Sequence, residues 1–165
     1  MKLTIEAVFA GLVWVAVVTG ALMVLAMHVR DVRRGLRTAN HQALLQSRTP
    51  YHEMVMRYPV IHRVLFEGED FDRLDDDSRV RVTQAWSLLM TWHESVLLHE
   101  QSGAIAKATA DQWTTMLRGQ LRTPAFQRLW VEHGWTFHPA LKLFVSVAAG
   151  LPAPKSPDAV RAQVG

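Results

Sequence analysis

Two histidine–glutamate pairs, His93-Glu94 and His99-Glu100, stand close together in a stretch with helical spacing, and that combination is raw material for a metal site. A zinc-binding H-E-x-x-H motif needs its histidines four apart, one helical turn, so that both rings face one ion. Here they are six apart, which on a helix separates them by roughly 240°. The Glu-x-x-His step of di-iron bundles is also missing. Glu53, Glu94, Glu100 and Glu132 are followed three positions on by Met56, Leu97, Gly103 and Trp135. His93 and Glu100, seven apart, do share a face. A third ligand from another helix, such as His133, would complete a site. The default for such a pair is a buried hydrogen-bonded couple.

The run from Glu67 to Asp77 holds seven carboxylates. A calcium EF-hand loop starting at Asp70 would need an oxygen ligand at its fifth position and glycine at its sixth. Those positions are Leu74 and Asp75. The run is expected to be a solvated loop capping a helix, with a docking patch for a basic partner as the alternative. His28, next to an apolar run, is the sort of residue that ligates a haem or pigment axially, but no pattern surrounds it. No G-x-S-x-G elbow, Walker loop or Rossmann glycine fingerprint is present. With no cysteine, thiol catalysis, disulfides and thiolate metal sites are excluded. The sequence therefore assigns no catalytic, cofactor-binding or metal residue, and no cofactor.

The elements that would carry these residues begin with 21 uncharged residues, Ala7 to Met27. As a helix they extend roughly 30 Å, the thickness of a bilayer's hydrocarbon core. The apolar region of a cleaved signal peptide is shorter, about 15 residues, so a membrane anchor is expected. Arg30, Arg33, Arg34 and Arg37 follow at once, against Asp31 alone. The positive-inside rule then places the N-terminus outside and the rest in the cytoplasm. The same arginines would attract anionic lipid headgroups.

The net charge of +3 resides in this exit segment, since residues 48–150 hold eleven Lys/Arg against twelve Asp/Glu. A nucleic-acid binder carries its basic patch on the folded domain, so nucleic acid is not an expected partner.

Apolar residues continue past the span at Leu22, Leu25, Val29, Val32, Leu36, Ala39 and Ala43, in alternating steps of three and four. That is a helical seam, open both to packing on the protein's own domain and to pairing with a second copy. Thr49-Pro50, Pro59, Asp75, Thr123-Pro124 and Pro139 read as helix starts, and Thr109 with Gln112 as a capping box. The helix opened by Asp75 should end at Gly103. It carries one broad apolar face through Val82, Ala85, Trp86, Leu89, Trp92, His93, Val96 and Leu97, which predicts the central helix of the domain. The next helix carries Trp113, Met116, Leu117 and Leu121 and its successor Phe126, Leu129 and Trp130, and Leu141, Phe144, Val145 and Ala148 should face inward from the last. Gly150 should end that last helix, and Pro152, Pro154 and Pro157 mark a disordered tail.

The expected organisation is all-α: one N-terminal transmembrane helix followed by a small helical bundle. The segments are an anchor over 1–29, a basic juxtamembrane helix over 30–47, a helical domain over 48–150 and a tail over 151–165.

The order of landmarks is a span, an Arg-rich exit helix with Asn40, Asp75, Arg79-Val80, Trp86, Glu94, Gly103 and Trp113. Pro124-x-Phe126-x-x-x-Trp130 and Phe137-x-Pro139 follow. This order resembles an uncharacterised family of bacterial single-pass membrane proteins with a helical cytoplasmic domain. The resemblance implies the architecture and no site. Taken together, the chain is expected to be a non-enzymatic, membrane-anchored interaction module, an accessory or scaffold subunit of a larger membrane complex. Its expected partners are the lipid bilayer and other membrane-protein subunits, with a homo-oligomer also open. The alternative is a metal-binding or enzymatic bundle using His93 and Glu100.

Overall fold

The computed structural model describes residues 5–152 and 154. Its regular elements are all helical, with no strand among the described residues, so the fold is all-α as expected. The chain divides into two units, Met1–Ala39 and Asn40–Gly165.

The first unit consists of α1 (Ile5–Ser47) up to Ala39. Phe9, Leu12, Trp14, Val17, Leu22 and Val24 are all exposed, so apolar side chains project in every direction. A helix apolar all round belongs in a protein core or a bilayer, because water does not tolerate that surface. Only a helix satisfies every backbone hydrogen bond internally in lipid. Among the described residues α1 is the one helix long and apolar enough to cross a membrane. The seam residues Leu22, Leu25, Val29, Val32 and Leu36 are exposed as well.

The second unit begins at Asn40, so the last turns of the basic helix belong with the folded domain. The Asn40 amide donates to the Ala104 carbonyl (3.4 Å), and Leu44 is buried. Of the seam residues, Ala43 is exposed and does not pack on the protein's own domain; the neighbouring Leu44 enters the core.

The remaining helices are α2 (Thr49–Arg57), α3 (Pro59–His62), α4 (Asp76–Gln101), α5 (Lys107–Gln120), α6 (Pro124–His133) and α7 (Pro139–Ala149). Prolines sit in the first turns of α2, α3, α6 and α7, where a missing N–H costs nothing. At α2 the N-cap is Arg48, one residue before the expected Thr49.

α4 is the central helix. Asp75 caps it by accepting from the Ser78 N–H at 2.8 Å, with Asp76 and Asp77 in the first turn. All eight expected inward residues are buried, joined by Met90. α2, α3, α5, α6 and α7 all pack on this helix. Gly103 and Gly150 take positive φ (70° and 65°) just past α4 and α7, which lets each helix close where a side chain would be strained.

Several local expectations shift. The Thr109–Gln112 capping box does not open α5. The helix starts three residues earlier, after an extended Ala106, and Lys107 pairs with Asp111 across the first turn at 2.9 Å. Met116 of α5 faces outward, 40% exposed, while Phe144 of α7 is half-buried and packs on the core as expected. The segment 67–72 is partly ordered, lying between a π-turn (Arg63–Glu67) and a 3₁₀ turn (Phe71–Arg73). After Gly150, Leu151 packs on the core. Pro154 lies where a Cβ on Gly134 would come within 2.8 Å of it and of the Trp130 ring, so Gly134 must lack a side chain. Residues 153 and 155–165 of the expected disordered tail lie outside the described residues.

Trp86 and Trp130 are fully buried on α4 and α6. Trp86→Ala or Trp130→Ala should each cost about 3–5 kcal/mol in denaturant unfolding. Met116→Gln should stay within about 0.5 kcal/mol of wild type. Comparable losses at all three positions would contradict this core.

Candidate functional site

Three segments of the folded unit converge around the histidine singled out in the sequence. α4 brings Trp92 and His93, α5 brings Trp113 and Gln120, and residues 41–51 bring His41, Leu44, Arg48 and Tyr51. His93 is 1% exposed. Its ring donates Nε2–H to Gln120 Oε1 at 3.1 Å, and Nδ1 has no partner. Burial pushes its pKa from 6.5 down to about 4, opposed by the Gln120 hydrogen bond and reinforced by the Arg48 charge. The imidazole is therefore neutral at physiological pH.

Beside it, Trp92 donates its indole N–H to the Leu44 carbonyl at 2.7 Å. Trp92 and Trp113 pack at 4.9 Å between centroids, and His41 stacks on Trp113 at 5.4 Å with the rings nearly parallel. The Arg48 guanidinium lies 4.8 Å over the Trp92 ring, a cation–π contact. Tyr51 is pushed up to about 12 by burial, so its phenol stays protonated. This arrangement locks a joint between elements. The neutral histidine, turned inward with its glutamine partner, is part of that joint.

The other expected ligands lie elsewhere in the contact pattern. Glu100 sits 3.7 Å from Lys107 Nζ, and His133 is near Glu132 (3.8 Å) and the Trp86 ring. No group of three or more His, Asp or Glu side chains placed to hold a metal ion occurs among the described residues. His28 is exposed on α1.

The acidic run is internally answered. Glu67 faces His62 (3.0 Å), Glu69 faces Arg63 (2.6 Å) and Asp70 faces Arg73 (3.3 Å). Asp72 pairs with Arg128 of α6, Asp76 with Arg79 (3.5 Å) and Asp77 with Arg81. Asp75 is held ionised by its hydrogen bonds from the Ser78 N–H and hydroxyl. Only Arg73 comes from within the run, and the flanking helices supply the other cations. The carboxylates serve to cap α4 and to tie the loop to α6, which favours the capping reading over an open docking patch. Arg128 also lies 5.3 Å over the Phe71 ring, closing one wall of a cleft of about 320 Å³.

Two further contributors escaped the sequence reading. Glu94 accepts the His138 backbone N–H (2.8 Å), and His138 Nδ1 accepts from the Ala140 N–H (3.1 Å), so α4 anchors the start of α7 through a histidine cap. A histidine directly before Pro139 was the available signal. Gln120 carried none, because a lone glutamine in an amphipathic helix looks like a surface residue.

Comparison of the chain with protein-family models, curated proteins and solved structures returns no match in any of the three.

Because His93 has a depressed pKa when folded, the unfolded chain binds the extra proton first as pH falls. Stability present above pH 6.5 should therefore drain away between about 6.5 and 4. The upper bound on that loss is about 3 kcal/mol. Melting of the full chain in detergent across that range should fall more steeply for wild type than for His93→Gln. Parallel pH profiles would refute the assignment.

Proposed function

We propose that this chain is a membrane-anchored helical interaction module, an accessory or scaffold subunit of a larger membrane-protein assembly. In this reading α1 crosses the inner membrane of a bacterial cell once. Its N-terminus faces out, and the α4-centred unit lies in the cytoplasm, on the side of the arginines that follow the span.

The observation that carries the reading is the contrast between used and unused surface. The polar chemistry of the folded unit is spent on its own joints: His93 on Gln120, Glu94 on the start of α7, and the acidic run on neighbouring arginines. The last helix also presents apolar side chains to the outside. α7 buries Leu141 and Val145 on one side and exposes Leu143 (67%) and Val147 (80%) on the other. A short helix apolar on both faces, in a unit that needs only one of them for its own core, suits a second protein surface.

The test uses a photo-crosslinking residue at Leu143 or Val147 in intact cells. The expected result is a discrete adduct with another membrane protein. Leu143→Glu with Val147→Glu should abolish co-purification in mild detergent and leave the melting temperature unchanged. Recovery of only the free chain, without adducts at either position, would sink the reading.

A further inference from the structure

Four arginines follow the uncharged run of α1, at positions 30, 33, 34 and 37. At 100° per residue they fall within an arc of roughly 100°, while Asp31 points about 100° away from Arg30. They line a cleft of about 410 Å³ with Ala26 and Val29. Among the described residues none of the four forms an ion pair. Arg63, Arg73, Arg79, Arg81 and Arg128 of the folded unit, by contrast, each face a carboxylate.

We infer that this arginine face is a binding site for anionic phospholipid headgroups, holding two phosphates at once on the side of the membrane where α1 emerges. The inference rests on α1 crossing the bilayer.

With a rise of about 1.5 Å per residue, the Arg30 Cα lies about 5 Å beyond Met27 and the Arg37 Cα about 15 Å beyond it. The headgroup layer is about 6 Å deep on each side of the hydrocarbon. Side chains on a helix lean toward its N-terminus, which here is the membrane side. The guanidinia of Arg33, Arg34 and Arg37 are therefore carried back toward the phosphates. Arg30 with Arg34, and Arg33 with Arg37, make two i,i+4 pairs, each able to fork onto one phosphate with parallel N–H donors.

A topology signal alone accounts for less. The positive-inside rule counts Lys or Arg near the span and is indifferent to the direction in which they point. One shared face made only of arginine is what planar, bidentate phosphate recognition asks for.

The experiment reconstitutes the full chain into nanodiscs of phosphatidylcholine alone and of phosphatidylcholine with phosphatidylglycerol or a diphosphate phospholipid. Native mass spectrometry then counts the lipids retained on release. Three chains are compared. One is wild type. The second carries Arg→Gln at positions 30, 33, 34 and 37. The third exchanges neighbours, Val32→Arg, Arg33→Val, Leu36→Arg and Arg37→Leu, which keeps four arginines in the same segment but splits them between opposite faces.

Wild type should retain anionic lipid over phosphatidylcholine, most strongly the diphosphate lipid. Both variants should lose that preference by about tenfold or more, the glutamine chain because four basic side chains leave the lipid surface and the exchanged chain because only two arginines still share the face. Inorganic phosphate at millimolar concentration should not displace the lipid. Equal retention by wild type and the exchanged variant would overturn the site and leave the arginines as bulk charge. Displacement by inorganic phosphate would overturn the lipid assignment in favour of a free anion. A chain that inserts into both kinds of disc without preference overturns the headgroup site but not the anchor. A chain that enters neither overturns both.

Discussion

Burial of one face of α4 is the constraint on which the folded unit depends. Trp86, Leu89, Met90, Trp92 and Val96 lie in the middle of that face, and helices from both sides of it in sequence pack there. Fully burying side chains of this size contributes roughly 1.5–3 kcal/mol each, so no neighbouring helix can be displaced without exposing a costly surface. The polar atoms carried inward by the same face then dictate the joints. The Trp92 N–H needs an acceptor and takes the Leu44 carbonyl, and His93 needs a neighbour and takes Gln120. An unmet donor in that position would cost about 1–3 kcal/mol. These two bonds draw residues from 40 onward into the domain and fix α5 beside it.

The charged surface follows a related logic. Carboxylates between Glu67 and Asp77 gather at the start of α4, where a helix N-terminus favours negative charge. Arginines from α4 and α6 and from the π-turn then meet them. Exposed pairs of this kind each contribute little to stability. Their effect is to bring the carboxylates at the start of α4 near local charge balance, whereas none of the exit arginines of α1 forms an ion pair among the described residues.

Much of this was present in residue types with a single physical meaning. Proline cannot sit in the interior of a helix without loss, so Pro59, Pro124 and Pro139 marked starts correctly. Asp75 followed by two aspartates marked an N-cap, and Gly103 and Gly150 marked stops, because each answers a local backbone need. The misses concern residues whose role is decided by distant partners. Thr109 has the composition of a cap, yet the extended Ala106 and the Lys107–Asp111 pair place the start of α5 earlier. The seam through Ala43 left its partner open, and the Trp92 contact one position on, at Leu44, is what ties this stretch to the domain. His93 was correctly suspected of burial with a hydrogen bond, but its partner came from α5, 27 residues on, and not from Glu100. The acidic run looked concentrated because its counter-charges are spread as far as Arg128.

The central claim is that α1 crosses a bilayer with the α4-centred unit on its arginine side. The absence of cysteine makes this directly measurable, because any introduced thiol is the only one in the chain. Single cysteines would be placed through Gly11–Met27 and at exposed Met56 and Val131, away from the α7 face, then treated with a membrane-impermeant maleimide in intact spheroplasts and after lysis. The account predicts no labelling within the span in either condition, and labelling at positions 56 and 131 only after lysis. Labelling through 11–27 after lysis, or at position 131 in intact spheroplasts, would contradict it.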